Sequence, residues 1–270
     1  MTSQEEGVDL VTLFIADISG HQAGLRVETL PGQGFSALIV KATQGRNYTN
    51  PQFAGWLATC RKVGFPVAAY HFVEQGDHSA QAAHIAAVVP RDIPVWMDAE
   101  AGATRDDAYA AARAFRALGG KVAGVYFGAK PKPGYGGWWR ARYLTDPSGF
   151  ASTVYVAQGG DTGAGWDTSY GPPDLWQYCQ RGRITGYSGD VDFSAYRGTL
   201  SQLLATGWFL TPPGAVEPTL TPPPITGEAM DLYRTPDGHV WDIGPCGKRH
   251  VTNPETVAAY TAKGGKVAPI

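Results

Sequence analysis

The stretch Ile93-Pro94-Val95-Trp96-Met97-Asp98-Ala99-Glu100 reads as a buried β-strand that ends in two carboxylic acids. Its apolar residues occupy both faces, which is typical of a parallel strand covered on both sides. Side chains alternate along a strand, so Asp98 and Glu100 are predicted to project to the same face, roughly 6.5 Å apart along the backbone. Burial and a neighbouring negative charge both raise a carboxyl pKa. The pair is therefore a candidate acid–base couple.

A protonated acid beside an ionised carboxylate is what hydrolysis of a glycosidic bond requires. The alternative interpretation is that the strand has ended and both acids are solvated loop residues, because so short a motif also occurs by chance. The rest of the chain has to decide between the two.

Polar and aromatic residues also follow the other apolar runs of the chain. Strands are predicted at 12–19, 37–43, 66–72, 93–100, 122–127, 153–158, 175–179 and 190–192, with helices at 52–63, 79–89, 106–118 and 194–204. Asn50 is predicted to cap the first helix, which stops at Gly64, and Thr104 with Asp107 to form a capping box for the third. Alternating strands and helices predict an α/β fold, and eight strands predict a modified (β/α)8 TIM-like barrel with irregular helices. Active sites of such barrels lie at the C-terminal strand ends, where the sequence places Asp17, Lys41, Tyr70, Asp98, Glu100, Tyr126, Gln158 and Asp192.

Composition divides the chain further. Residues 1–210 carry the barrel pattern, and residues 211–227 form a Pro-rich linker. Residues 228–270 are predicted to be a small C-terminal α+β module, with a hairpin that turns at Asp237-Gly238 and a short helix that starts at Asn253-Pro254.

Charge and cysteine content exclude several function classes. A net charge of −2 gives no reason to expect binding to nucleic acid or to an anionic membrane, and no apolar run is long enough to span one. Cys60, Cys179 and Cys246 are far apart, and the six histidines show no metal-binding spacing, so we expect no metal and no other cofactor. The acidic N-terminus lacks the features of a signal peptide, which predicts synthesis in a cytoplasm.

With these residues collected, the first ~210 positions resemble glycoside hydrolase family 25, the Chalaropsis-type lysozymes. The matching motifs, in chain order, are Asp17-Ile-Ser19-Gly-His-Gln22, Lys41-Ala-Thr-Gln44-Gly-Arg-Asn-Tyr48-Thr-Asn-Pro51-Gln-Phe53, Tyr70-His71-Phe72, Asp98-Ala99-Glu100, Ala157-Gln158, Leu175-Trp176-Gln177-Tyr178 and Val191-Asp192-Phe193-Ser194. The chain departs from the family at Gln44, usually Glu, at Ser194, usually Asn, and at Glu74-Gln75, often Arg-Pro.

The resemblance implies a muramidase that cuts the β-1,4 bond between N-acetylmuramic acid and N-acetylglucosamine in bacterial peptidoglycan. It assigns Glu100 as general acid and then base. Asp98 would orient the 2-acetamido group of the substrate or stabilise an oxazolinium, while Asp17 and Asp192 would hold the acidic cluster and sugar hydroxyls. Candidate substrate-binding residues are Tyr70, Tyr126, Gln158 and Trp176. His71 is expected to be a packed, hydrogen-bonded histidine and not a catalyst.

A lysozyme with a Pro-linked module and no signal peptide looks like a phage endolysin, released from the host cytoplasm to the wall through a holin. Trp241, Tyr233, His239, Lys248, Arg249 and His250 suggest that the C-terminal module binds a wall polymer or mediates self-association. The alternatives are a non-catalytic wall-binding protein on a degenerate barrel and a chitinase-like glycosidase. Chitinases of that type have a longer D-x-x-D-x-D-x-E run, and here Trp96 occupies the position of one of its other acids.

Overall fold

A computed structural model of the protein describes residues 12–127, 154–157, 175–211, 213, 231–234, 240–244, 247–250 and 267–269. The strands are β1 (Thr12–Ile18), β2 (Phe35–Gln44), β3 (Tyr48–Thr49), β4 (Val67–Phe72), β5 (Val95–Ala99), β6 (Val122–Phe127), β7 (Val154–Ala157), β8 (Leu175–Ile184) and β9 (Tyr187–Arg197). The helices are α1 (Phe53–Val63), α2 (His78–Val88), α3 (Arg105–Ala117) and α4 (Leu200–Ala205). No helix of the described segments is long and apolar enough to cross a membrane.

The main sheet closes on itself. Its strand order is β1-β9-β8-β7-β6-β5-β4-β2, and β1 also pairs with β2, so that these strands form a ring, with β3 added beside the end of β2. Every pairing from β1 through β2, β4, β5, β6, β7 and β8 is parallel. Both pairings of β9 are antiparallel. The fold is therefore a mixed, barrel-like α/β sheet.

The antiparallel β9 corrects the prediction for the end of the barrel. A short strand at 190–192 and a helix at 194–204 were expected, but the strand covers Tyr187–Arg197 and the helix only Leu200–Ala205. The reason is the two-residue link Thr185-Gly186 between β8 and β9, in which Gly186 has a φ of 83°. So short a link makes a hairpin, whereas a parallel pair needs a crossover of a dozen residues or more.

Alternation along the strands sorts residues into two apolar layers. One layer lies between the ring and the helices and includes the apolar side of α1 and α3. The other fills the ring with Leu13, Ile15, Ala37, Ile39, Ala68, Trp96, Ala123, Tyr126 and Leu175, together with Leu200, Leu203, Trp208 and Phe209 from α4 and the segment after it. Apolar side chains therefore fill the interior of the ring up to the polar side chains near the C-terminal ends of the strands.

Trp208 belongs to the floor of this interior. Its ring packs edge-on against Trp96, with centroids 5.8 Å apart, and against Tyr196 at 5.9 Å. Leu210 bridges to Val67 at the N-terminal end of β4. The segment after α4 thus closes the N-terminal end of the ring, which leaves the opposite end for a site.

Helix boundaries follow local signals with one exception. Thr104 and Asp107 form the predicted capping box of α3, and the predicted stop at Gly64 is a left-handed C-cap with a φ of 70°. Asn50 was predicted to cap α1, but the helix begins at Phe53. Asn50 instead accepts a hydrogen bond from the backbone N–H of Gln52 (3.0 Å) and donates one to the carbonyl of Lys41 (2.7 Å), so that it fixes the end of β2.

A second sheet lies in the C-terminal residues. It contains β10 (Asp231–Arg234), β11 (Val240–Gly244), β12 (Gly247–His250) and β13 (Val267–Pro269) in the order β12-β11-β10-β13. β10 and β11 are antiparallel, as the predicted hairpin requires. The helix predicted after Asn253-Pro254 and most of the Pro-rich linker fall outside the described residues.

Candidate active site

Four acidic side chains meet at the open end of the ring. Asp17 comes from β1, Asp98 from β5, Glu100 from just beyond β5, and Asp192 from β9. They line one pocket of about 340 Å³, its open mouth included, whose other lining residues are Ile39, Tyr70, Trp96, Tyr126 and Gln177. All four acids that the sequence singled out are thus brought to a single place.

The alternation of β5 places the first two acids. Trp96, Asp98 and Glu100 all line the interior, at successive heights from the packed floor to the mouth. Parallel neighbours hold the strand on both sides, with Asp98 in register with Phe72 of β4 and Tyr126 of β6. Asp98 is only 5% exposed and Glu100 is half-buried. The deeper acid is therefore shielded, while the outer one reaches the mouth.

The antiparallel pairing of β1 with β9 places the other two. Asp17 and Asp192 are direct partners in the register of these strands, so both project to the same face. Two like charges directly opposite one another repel, so this pairing is unfavourable for the stability of the sheet. A costly arrangement of this kind is typical of a functional site.

Burial raises the pKa of all four acids, and repulsion from neighbouring acids adds to the effect for Asp17, Asp98 and Asp192. For Asp17 and Asp98 the pKa lies well above the ordinary value, mainly because burial disfavours the charged form, and the neighbouring acids add to the effect. Burial likewise raises the pKa of Glu100. Burial, with the charges of Glu100 and Asp190, raises the pKa of Asp192 to about 7. The pocket therefore holds protonated carboxyls at pH values where free carboxyls are ionised, as a general acid requires.

Lys41 is a functional candidate that the sequence interpretation left out of the site, although it noted the residue at a strand end. Its ammonium donates a hydrogen bond to Gln44 Oε1 (2.7 Å) and lies 4.5 Å from the ring centroid of Phe72. Its charge acts against the raised pKa of Asp17, Asp98 and Glu100. Burial lowers the pKa of Lys41 itself. The motif Lys41-Ala-Thr-Gln44 marked Lys41 as a candidate in the sequence. Its place beside the acids became evident only from the structure, in which alternate residues of β2 face the interior of the ring.

The predicted substrate-binding residues are only partly described. Tyr70 and Tyr126 line the pocket. Gln158 falls outside the described residues, as does the side chain of Trp176. Gln177, one position after Trp176, is buried and lines the pocket, and the sequence interpretation missed it. The signal was present in the motif Leu175-Trp176-Gln177-Tyr178, where a polar residue stands within a buried strand.

His71 has the structural role that the sequence predicted. It is fully buried, its Nδ1 is 2.8 Å from Thr43 Oγ1, and its Nε2 is 3.1 Å from Gln81 Oε1. Burial lowers the pKa of this imidazole to about 4, so the ring is neutral near pH 7. Among the described residues, no group of three or more His, Cys, Asp or Glu side chains is arranged to hold a metal ion.

Replacing Asp192 by Asn should stabilise the protein in a pH-dependent way. The pKa of Asp192 is about 7 in the folded protein, against an ordinary value of 3.8. The stability that the protonated form provides is present below about pH 4 and is lost as the pH rises through 7. Because Asn cannot ionise, Asp192→Asn should raise the melting temperature at pH 8 by about 2–4 °C and leave it nearly unchanged at pH 4.

Melting curves at pH 4, 6 and 8 would check this prediction, with Asp92→Asn as the control. Asp92 is an exposed acid that pairs with Arg61 at 2.8 Å, so its variant should show no such gain at pH 8. An Asp192→Asn protein that melts at the wild-type temperature at every pH would contradict the shifted pKa.

Comparisons with known proteins show the family of the chain. The family model for Glycosyl hydrolases family 25 matches residues 16–187, a range that contains Asp17, Asp98 and Glu100. Lysozyme M1 of Streptomyces globisporus is 25% identical over 211 residues, which cover 70% of this chain and 69% of that protein.

Solved structures of similar fold include a bacterial and a phage enzyme. The bacterial lysozyme of Streptomyces coelicolor has a TM-score of 0.57 and 24% identity, over 72% of this chain and 96% of that one. The catalytic domain of endolysin ply40, from bacteriophage P40 of Listeria monocytogenes, has a TM-score of 0.55 and 19% identity, over 73% of this chain and 98% of that one. The family model matches more than half of the chain, and the ring gathers four acids at one end. The chain therefore belongs to glycosyl hydrolase family 25 and is a glycoside hydrolase of the lysozyme type.

Proposed function

We propose that the protein is an N-acetylmuramidase that hydrolyses the β-1,4 bond between N-acetylmuramic acid and N-acetylglucosamine in bacterial peptidoglycan. The observation that carries this proposal is the Asp98–Glu100 pair, one acid buried and one at the mouth, within a cluster completed by Asp17 and Asp192. The likeness to Lysozyme M1 supports the same substrate class.

Glu100 is the general acid and then the general base. It is the outer member of the pair, so its carboxyl can reach both the glycosidic oxygen and an incoming water. Its raised pKa extends the pH range in which it is protonated for the first step, in which the C1–O4 bond breaks and the proton of Glu100 moves to O4. In the second step, Glu100 takes a proton from water as the water oxygen bonds to C1 and the bond between C1 and the acetamide oxygen breaks.

Asp98 assists the acetamide of the substrate. One of its carboxylate oxygens, Oδ1, is buried and has no hydrogen-bond partner among the described atoms, although the side chain lines the pocket. In its ionised form, which the charge of Lys41 favours against burial and the neighbouring acids, Asp98 can accept the N–H of the 2-acetamido group while the acetamide oxygen attacks C1. Its negative charge then stabilises the oxazolinium. In this substrate-assisted route the acetamide is the nucleophile, so the rule that relates carboxylate separation to stereochemistry does not apply.

The remaining polar residues hold the cluster and the sugar. Asp17 and Asp192 accept hydrogen bonds from sugar hydroxyls, and Tyr70 and Tyr126 present ring faces and hydroxyl groups to the pocket. The ammonium of Lys41 limits the repulsion among the acids. Gln177 supplies an amide at the opposite side of the ring, since β8 is separated from β5 by two strands.

Identification of the soluble products from digested bacterial walls tests the proposal. Mass spectrometry should find muropeptides with reducing-end muramic acid. Reducing-end glucosamine would indicate a glucosaminidase and overturn the bond assignment, and free peptides would indicate an amidase or peptidase. A zymogram without a cleared zone, together with retained wall binding, would favour a non-catalytic binder.

We further infer that the enzyme acts as an endolysin, reaching the wall from the cytoplasm of an infected cell through a holin. The support is the arrangement of a wall-cleaving barrel, a Pro-rich linker and a C-terminal sheet, together with the likeness in fold to the phage enzyme ply40. Expression in a host should leave cells intact until the inner membrane is permeabilised and then cause rapid lysis. Lysis without permeabilisation would contradict this route.

The C-terminal sheet is proposed to hold the enzyme on the wall or to join two copies of it. Its register places Tyr233 opposite Trp241, and Trp241 opposite His250, so that three ring-bearing residues occupy facing positions on adjacent strands. Aromatic residues in such a row suit a carbohydrate polymer or a second protein surface.

Truncation after Thr211 should therefore separate two activities. Hydrolysis of small soluble glycans should remain within about twofold of wild type, while activity on whole walls should fall about tenfold, because tethering raises the local enzyme concentration. Trp241→Ala in the full-length chain should reduce wall activity in the same direction. Equal wall activity of the truncated and complete chains, with unchanged mass in solution, would remove both roles.

A further inference from the structure

Glu100 is the first residue of a tight turn with an unusual backbone. The N–H of Ala103 donates to the carbonyl of Glu100 (3.1 Å), and the two residues between them have positive φ angles, 48° at Ala101 and 103° at Gly102. This is the pattern of a type I′ turn, which favours Asn, Asp or Gly at both central positions. Alanine at the first of them is strained, because its Cβ crowds the backbone in the left-handed region.

A strained turn persists only when its surroundings fix it. The fixing contact comes from Gln75, which lies between β4 and α2 and donates a short hydrogen bond from its Nε2 to the carbonyl of Gly102 (2.6 Å). The same loop is joined to β5 directly, since the N–H of Val73 donates to the carbonyl of Asp98 (2.8 Å). Gln75 thus connects a neighbouring loop to the turn that carries Glu100.

The loop of Gln75 is itself held rigidly. Gln81, which is 1% exposed, accepts from the N–H of Glu74 (3.0 Å) and donates to the carbonyls of Glu74 and Gly76 (both 2.8 Å). The Oε1 of Gln81 also lies 3.1 Å from Nε2 of the fully buried His71. The residues on either side of Gln75 are therefore anchored to the core, while the side chain of Gln75 itself is exposed and reaches across to the turn.

We propose that Gln75 is a positioning residue, whose amide clamps the Gly102 carbonyl and thereby holds the strained turn that keeps the Glu100 carboxyl over the pocket. The proposal rests on the role of Glu100 in the proposed function. Gln75 is not among the residues that line the pocket, and it takes no part in proton transfer. Without the clamp the turn relaxes away from its strained geometry, and Glu100 leaves the reactive position for part of the time.

Gln75→Met tests the clamp, because methionine keeps the length of the side chain but cannot donate a hydrogen bond. We expect kcat on walls to fall about fivefold to tenfold with KM within about twofold, since misplacement of an acid affects the reaction more than binding. Gln52→Met is the matched control. Gln52 stands at the N-cap position of α1, but its side chain makes no capping hydrogen bond, so the variant should keep wild-type kcat.

A second substitution separates positioning from a general structural effect. Ala101 is exposed, and asparagine tolerates the left-handed conformation that this position requires. Ala101→Asn alone should stay near wild type, and in the Gln75→Met background it should restore most of the lost kcat, because the turn then holds its own shape. Loss of kcat that Ala101→Asn does not restore would overturn the proposal, as would wild-type kcat in Gln75→Met.

Hydrogen exchange gives a readout that does not depend on activity. Exchange of the Ala103 amide, measured in a peptide covering residues 98–105, should become about tenfold faster in Gln75→Met and should slow again when Ala101→Asn is added. Unchanged exchange would overturn the clamp even if the enzyme proved to cut another bond. An inactive wild type whose Ala103 amide still responds to Gln75→Met would instead contradict only the proposed function.

Discussion

Glu100→Gln is expected to reduce hydrolysis of bacterial walls by at least about 10²–10⁴-fold, the usual contribution of general acid–base catalysis. Glutamine keeps the shape and hydrogen-bonding capacity of the side chain but has no proton to deliver to the leaving oxygen. The raised pKa of Glu100 has the same consequence for wild type, whose activity should fall as the pH rises through that pKa. Release of reducing ends from purified walls, followed across pH, measures both effects.

Binding and folding serve as the controls for this variant. Wall binding should hardly change, and the melting temperature should be unchanged or slightly higher, because a half-buried acid among other acids is replaced by a neutral group. Glu28→Gln is the matched substitution, since it makes the same change at an exposed glutamate that pairs with Arg26 and does not line the pocket. A Glu100→Gln enzyme that kept more than about a tenth of the wild-type rate would show that another group is the acid.

Asp98→Asn is expected to cost nearly as much, about 10²-fold or more, because the attacking acetamide loses the charge that stabilises the oxazolinium. Asp192→Asn should cost less, about tenfold, since its role is to position the sugar. The two variants should differ in this order although both replace an acid of the same pocket. Initial rates on a soluble peptidoglycan fragment, at saturating concentration, give the comparison directly.

The stability of the Asp98 variant distinguishes lost chemistry from lost structure. Asp98 is 5% exposed and its pKa is raised by burial and by the neighbouring acids, so a neutral amide should raise the melting temperature. Exogenous azide provides the mechanistic test. If azide restores turnover to Asp98→Ala and gives an inverted anomeric product, Asp98 is a direct carboxylate nucleophile and the substrate-assisted route is wrong.

Local pattern was sufficient to predict most of the strands and the main acid pair. Because side chains alternate with a period of two, the spacing of Asp98 and Glu100 placed them on one face before any fold was known. The capping box of Thr104 and Asp107 and the left-handed Gly64 are equally local, and each was predicted at its observed position. The motifs spread from Asp17 to Asp192 were enough to indicate the family, since their order and spacing are properties of the sequence itself.

The pairing of strands in the tertiary structure decided which side chains are neighbours in the site. The sequence placed Asp192 at the end of a short last strand, but the hairpin at Thr185-Gly186 turns β9 antiparallel and brings Asp192 opposite Asp17. The same holds for three other residues. The direction in which their strands point side chains into the ring decided the roles of Lys41 and Gln177, and contact with a neighbouring loop decided that of Gln75. Strand direction and register depend on contacts between residues far apart in the chain, so the local pattern that fixes which residues share a face cannot fix which faces meet.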